Sequence, residues 1–191
     1  YIMAPLMLGL AFIGEPVIKV LLTEKWLSAV FYMRVFCISY MFYPIHTANL
    51  NAIKAMGRSD LFLKLEIIKK VIGLVLLLIT MNISVEAMAY SLLFTTITSQ
   101  IINSWPNRKL LGYSYLEQIM DIIPNITLAV FMGVCIYFIQ YIHISNVIAI
   151  LLQLSIGASI YIICSKLFKI DSFLYVLDIV KSYRKHKEEH K

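Results

Sequence analysis

Long apolar segments separated by short polar connections run along the whole chain. A bilayer core about 30 Å thick needs about 20 apolar residues in each helical span, and charged or turn-forming residues divide the chain into six such segments. The predicted spans are residues 2–22, 27–53, 65–83, 87–104, 119–142 and 147–165. These continuous apolar runs predict helices, because in lipid every backbone polar group must be bonded within its own segment.

Several boundaries depend on particular residues. The third span has a short apolar core and extends back past Lys69 and Lys70, whose charged ends are expected to reach the headgroups. The fourth span is predicted to stop at Pro106, because proline lacks a backbone N–H. Residues 110–123 and 167–180 combine apolar residues near helical spacing with aromatic anchors, which predicts amphipathic helices at the membrane surface.

The composition agrees with an integral membrane protein. Of the 191 residues, 60% are apolar and 15% are charged, whereas about a quarter of the residues are charged in a soluble domain. This excludes an ordinary soluble enzyme, a disordered tail and a nucleic-acid-binding module. Cys37, Cys135 and Cys164 lie in separate apolar segments and are interpreted as core residues, not as a disulfide framework or a metal site.

Basic residues fall on alternate connections, which predicts the orientation of the chain. Fourteen of the 17 lysines and arginines follow the second, fourth and sixth spans, and the connections 82–86 and 143–146 have none. Six spans with both ends in the cytoplasm explain this distribution. Residues 166–191 are then a cytoplasmic amphipathic helix with a basic tail that attracts anionic membrane lipids.

The chain opens at Tyr1 directly in an apolar segment, without a charged region before it. We therefore expect a carboxy-terminal part of a longer protein. The missing amino-terminal half would be its partner in the complete fold.

Two predicted spans carry polar residues at every fourth position, which places them on one helix face. The stripes are Ser39, Tyr43, Thr47 and Asn51 in the second span, and Ser91, Thr95, Ser99 and Asn103 in the fourth. Polar side chains inside a membrane face either another helix or water. Contacts between helices explain any single hydroxyl, but the joint pattern favours a polar substrate lumen.

Four further residues extend the candidate lumen. His46, Asn49 and Lys54 flank the stripe of the second span, and Arg34 lies nearer its outer end. His46 is either a hydrogen-bonded structural residue or a proton carrier, since imidazole titrates near neutral pH. Arg34 either meets an anionic group of the substrate or extends to the interface.

Three residues are candidate hinges. Pro16 and Pro44 interrupt the first and second spans, where proline bends a helix. Gly57 is expected to end the second span in a left-handed conformation, with Ser59 or Asp60 capping the next helix. The sequence has no nucleophile, phosphate-loop or metal-binding motif, so we predict no catalytic residue, no metal and no cofactor.

Several short motifs occur in an order typical of one transporter family. They are PLMLGL at 5–10, EPVI at 15–18, KWLSA at 25–29, NAIKAMGRSD at 51–60, KLEIIKK at 64–70, YSYLEQ at 113–118 and DIIP at 121–124. In this order they resemble the polysaccharide and O-antigen flippases of the multidrug/oligosaccharidyl-lipid/polysaccharide exporter superfamily.

The resemblance implies an all-α integral membrane fold in which about six transmembrane helices form the second bundle of a two-bundle exporter. It implies transport of a lipid-linked oligosaccharide, carried on polyprenyl diphosphate, across the bacterial inner membrane for surface polysaccharide synthesis. One alternative is a multidrug or small-solute exporter of the same superfamily, for which an aromatic and acidic pocket is expected. Another is a membrane-embedded transferase acting on polyprenyl or acyl donors, with His46 as its base.

Overall fold

The computed structural model describes residues 1–142 and 144–189, with side chains up to residue 183. Over this part of the chain all regular secondary structure is helical. The helices are α1 (Met3–Phe12), α2 (Gly14–Leu22), α3 (Ala29–Met41), α4 (Tyr43–Ala55), α5 (Ser59–Thr80), α6 (Val85–Leu111), α7 (Tyr115–Tyr137), α8 (Asn146–Leu167) and α9 (Asp171–Glu189). Short 3₁₀ segments cover Glu24–Trp26 and Phe138–Tyr141.

Three of the described helices are long and apolar enough to cross a membrane: α6, α7 with its 3₁₀ extension, and α8. The bent pair α1 and α2 meets the same criteria when it is counted as one span. The described chain is therefore all-helical with three or four candidate membrane-spanning helices. The second predicted span is divided between α3 and α4, which have 13 residues each, and the third corresponds to the charge-bearing α5. The total of six spans stays a prediction.

Both predicted proline hinges lie just after a helix break. The axes of α1 and α2 differ by 68°, and α1 ends at Phe12, four residues before Pro16. That spacing matches the clash between a proline ring and the carbonyl four residues earlier. Helices α3 and α4 meet at Phe42, and Pro44 occupies the first turn of α4, where its missing N–H costs no helical hydrogen bond.

The interpretation of Pro106 as a helix end is wrong. Helix α6 continues through Pro106 to Leu111 and ends at Gly112, whose φ is +67°. Residues 110–123 are consequently not a separate surface helix, because Ser114 and Glu117 form a reciprocal capping box that starts α7. The proline removes one backbone hydrogen bond, but polar contacts on both sides of it, described below, hold α6 in place.

Gly57 adopts the predicted left-handed conformation, with φ +72°. The N–H of Gly57 donates to Lys54 O and that of Arg58 to Ile53 O, which is the hydrogen-bond pattern of a Schellman motif. Neither Ser59 nor Asp60 caps α5, since the residue before the helix is Arg58 and its N-terminus has no side-chain cap bond. Instead, the Arg58 guanidinium lies 3.2 Å from Asp60 and lowers the pKa of that carboxyl through this hydrogen bond.

Helix α1 packs between α3 and α7, and α7 packs on α8. The core between α1 and α7 includes Ala4, Leu8, Ala129 and Met132. The ring of Phe12 fills the space above Gly133, so a Cβ atom added there would lie 2.2 Å from the ring. Helix α6 lies on the other side of α3 and α4 and also contacts α5.

The segment predicted as a second surface helix corresponds largely to α9. Its first turn packs on the bundle, where Phe173 is buried against the ring of Tyr1, and Asn125 Nδ2 donates to Ser172 Oγ. The side chains of the predicted basic tail from residue 184 onward, residues 190–191 and residue 143 lie outside the described residues.

Candidate functional site

A groove lies between α3 and α4 on one side and α6 on the other, with a volume of about 170 Å³. Its lining residues are Ser39, Tyr40, Phe42, Tyr43, His46, Leu92, Thr95, Thr96, Ser99 and Gln100. Five of them, Ser39, Tyr43, His46, Thr95 and Ser99, belong to the predicted lumen. None of the lining side chains carries a fixed charge. Parts of the two polar stripes therefore meet around one neutral groove, which combines polar groups with a larger apolar surface.

The α6 wall of the groove is rich in hydrogen-bond acceptors. The hydroxyls of Thr95 and Thr96 donate to Leu92 O at 2.9 and 2.8 Å, which leaves the lone pairs of each oxygen free. Gln100 Oε1 of α6 and Ser39 Oγ of the facing helix α3 lie buried beneath the groove and have no hydrogen-bond partner among the described residues. Such a wall favours a ligand that donates hydrogen bonds.

The α3 and α4 side of the groove carries a row of rings. Phe36, Tyr40, Tyr43 and His46 follow one another with centroid separations of 6.3, 6.4 and 6.3 Å. The two tyrosines are 50% and 57% exposed. The row provides an exposed aromatic surface along this edge of the groove.

The groove is closed toward the ends of α4 and α6 by side-chain amides. Gln100 Nε2 donates to the carbonyl oxygen of Phe42, the residue at the break between α3 and α4, at 2.8 Å. About one helical turn further on, Asn103 Nδ2 lies 2.8 Å from His46 Nδ1. These contacts supply partners for polar groups at the proline break, which a helix bend in lipid requires.

Asn49 is the centre of a buried network that joins three helices. Its Nδ2 donates to Gln118 Oε1 of α7 at 2.7 Å and to Ser104 Oγ of α6 at 3.1 Å. Its Oδ1 accepts from Asn107 Nδ2 at 2.6 Å. The network links the last two turns of α4 and of α6 to the first turn of α7. The turns at Gly57 and Gly112 therefore lie at the same end of the bundle.

The other predicted lumen residues lie apart from the groove. Arg34 is exposed and its Nε donates to Ala11 O beside the α1–α2 break. The hydroxyls of Thr47 and Ser91 donate to carbonyls of their own helices. Asn51 is exposed, and Lys54 places its ammonium 4.2 Å from the centre of the Phe62 ring. Asn49 and Asn103 belong to the amide contacts described above.

Lys69 does not extend freely toward the headgroups. Its side chain is 7% exposed and forms an ion pair with Glu66 one turn earlier on α5. Both charged groups are close enough to His46 to act on it electrostatically. The pair is internally neutral, which lowers the cost of placing it inside the bundle.

Sequence reasoning missed part of this site. Ser104, Asn107 and Gln118 were assigned to a helix end and a connection because Pro106 was interpreted as a stop. A signal was nevertheless present, since Asn103 and Asn107 continue the four-residue spacing of the α6 stripe past the proline. Tyr40 and Gln100 flank the stripes but were not included among the lumen residues.

Comparisons with protein-family models, with curated proteins and with solved structures found no match for this chain.

Proposed function

We propose that this chain is part of a membrane flippase that moves a lipid-linked oligosaccharide across the bacterial inner membrane. The observation that carries the proposal is the neutral groove between α3, α4 and α6, lined by hydroxyl, amide and imidazole groups. Polar groups on membrane helices are costly unless they serve contacts or a pathway. A sugar headgroup presents many hydroxyls, which match the hydrogen-bonding groups of the groove. The polyprenyl tail would stay in lipid against the apolar outer surface.

The amide network supports the proposed topology of six spans. It brings the C-terminal parts of α4 and α6 together with the start of α7, so Arg58, in the turn after α4, and Arg108, near the end of α6, lie at one end of the bundle. Basic connections are retained in the cytoplasm. This end would accordingly be cytoplasmic, and the substrate would enter the groove from it.

The groove favours the flippase over the two alternatives. A multidrug exporter of the same superfamily is expected to use an aromatic and acidic pocket, and the lining residues include no carboxylate. A transferase with His46 as base is expected to place a carboxylate or a second histidine beside the imidazole. The residues that line the groove include neither.

The proposal is tested by filling the groove. Replacing Thr95 and Ser99 with leucine in the native protein and host places two branched apolar side chains on the α6 wall. The matched control replaces Ser155 and Ser159, which are also four residues apart but lie on the exposed face of α8. We expect the groove variant to lose at least about 90% of surface polysaccharide at an unchanged amount of membrane-inserted protein, because apolar side chains leave sugar hydroxyls unpaired.

The control variant should support normal export. Normal export by the Thr95→Leu/Ser99→Leu variant would overturn the assignment of the groove as the pathway. Loss of drug efflux with intact polysaccharide would favour the multidrug alternative.

A further inference from the structure

We infer that the groove selects neutral pyranose rings, which lie with their C–H faces on Tyr40 and Tyr43 and direct their hydroxyls toward α6. This inference rests on the proposed function and specifies the substrate class of the same site. It joins two separate observations: the row of rings on the α3 and α4 side, and the acceptor-rich wall on the opposite side.

The row of rings is suited to sugars because of its spacing and exposure. From Phe36 to His46, consecutive ring centroids are 6.3 to 6.4 Å apart. A sugar ring that leaves one aromatic side chain is therefore close to the next. A pyranose has a face made of C–H bonds, which gains dispersion and apolar burial against an aromatic face. The two tyrosines offer aromatic faces along the groove. Stacking on them requires no single hydrogen-bond geometry.

The opposite wall determines which groups of a sugar are accepted. The Thr95 and Thr96 hydroxyls both donate to Leu92 O, so each oxygen faces a ligand only as an acceptor. A sugar hydroxyl can donate a hydrogen bond to these two oxygens. A carboxylate or phosphate oxygen only accepts, and these two hydroxyls have no proton left to share with it.

The absence of fixed charge in the groove strengthens the selectivity for neutral rings. None of the lining residues carries a fixed charge, and the nearby Lys69 and Glu66 neutralise each other. An anionic sugar ring would give up part of its hydration there without gaining a counter-ion, which is unfavourable. The rings that pass Tyr40 and Tyr43 are therefore uncharged pyranoses.

The inference is tested by saturation-transfer-difference NMR on the purified protein in perdeuterated detergent. The probes are methyl β-glucopyranoside, as the neutral ring, and glucuronate, as its anionic counterpart. We expect transfer mainly to the C–H protons of the glucoside and at least about tenfold weaker binding of glucuronate. Replacing both tyrosines with leucine should weaken glucoside binding about tenfold, whereas Tyr40→Phe with Tyr43→Phe should preserve it because the rings remain.

Tyr90→Leu is the matched control, since this residue is 58% exposed on α6 and lies outside the groove. Equal binding of glucuronate and glucoside would overturn the selectivity for neutral rings. Unchanged binding by the Tyr40→Leu/Tyr43→Leu variant, shown to be folded by an unaltered melting temperature, would overturn the role of the rings. Glucoside binding as expected, together with normal polysaccharide export by the Thr95→Leu/Ser99→Leu variant, would support the sugar site and contradict the flippase function.

Discussion

The side-chain amide of Asn107 donates to the side-chain oxygen of Asn49 over 2.6 Å, across the interface of two helices that the sequence places on either side of α5. Asn49 Nδ2 also donates to Ser104 Oγ and Gln118 Oε1, so one α4 side chain is hydrogen-bonded to both α6 and α7. All four residues are buried. Interhelical hydrogen bonds of this kind fix the relative position of membrane helices.

Asn49→Ala should destabilise the protein by about 1 to 3 kcal/mol, because its buried partners would lose their hydrogen bonds to the Asn49 side chain and could not replace them with water. The measurement is the midpoint of unfolding in mixed detergent micelles. Asn51→Ala is the matched control, since Asn51 lies on the same helix but is exposed. Equal stability of the two variants would show that the network does not hold the helices together.

Gly133→Ala should lower the melting temperature, because the added Cβ would lie 2.2 Å from the ring of Phe12. Overpacking of this kind typically costs about 1 to 3 kcal/mol. Gly73→Ala is the control: no described heavy atom lies within 4 Å of its added Cβ, and alanine has the higher helix propensity. Combining Gly133→Ala with Phe12→Leu should restore part of the loss, and the absence of any recovery would contradict this packing.

Pro16→Ala should reduce the 68° bend between α1 and α2. The alanine restores an N–H and removes the ring that conflicts with the Phe12 carbonyl. Spin labels at positions 6 and 21, introduced after replacement of the native cysteines, report the change as a longer distance. Pro5→Ala should leave the distance unchanged, because proline is tolerated in the first turn of α1. An unchanged distance in Pro16→Ala would assign the bend to tertiary packing instead.

Tyr113, in the connection between α6 and α7, should ionise only at strongly alkaline pH. Partial burial and a hydrogen bond to Asp121 raise the pKa of its phenol to about 12. The stabilisation that accompanies this raised pKa is complete below pH 10 and is lost as the pH rises toward 12. The difference in tyrosinate absorbance between the native protein and Tyr113→Phe isolates this group.

In Asp121→Asn the same titration should move toward the ordinary tyrosine value, because the carboxylate that accepts the hydrogen bond is gone. A midpoint for Tyr113 that is the same in the native protein and in Asp121→Asn would contradict the contact with Asp121.

Local signals in the sequence predicted much of the helical framework. Gly57 was assigned a left-handed helix end and has one, since its conformation depends on residues within one turn. The helix breaks lie close to Pro16 and Pro44 for the same reason. Pro106 shows the limit of this reasoning, because contacts of Asn103, Ser104 and Asn107 with other helices maintain α6 where local propensity favours an end.

The polar stripes predicted the α6 side of the groove better than the α4 side. Thr95 and Ser99 line it, whereas Asn51 on the opposite stripe is exposed. The second predicted span is interrupted at Phe42, where α3 ends and α4 begins. A periodic stripe predicts a shared face only along an unbroken helix, so the partners of Asn49 could not be derived from spacing alone.

The position of α1 between α3 and α7 also has a consequence for biogenesis. Leu8 of α1 packs with Leu128 and Met132 of α7, yet α7 leaves the ribosome only after five intervening helices. Until α7 has been synthesised, this face of α1 lacks its partner residues, and Phe12 can pack on Gly133 only at a late step. A nascent chain arrested before α7 would expose an unfinished helix interface, which is the form that quality-control proteases would encounter.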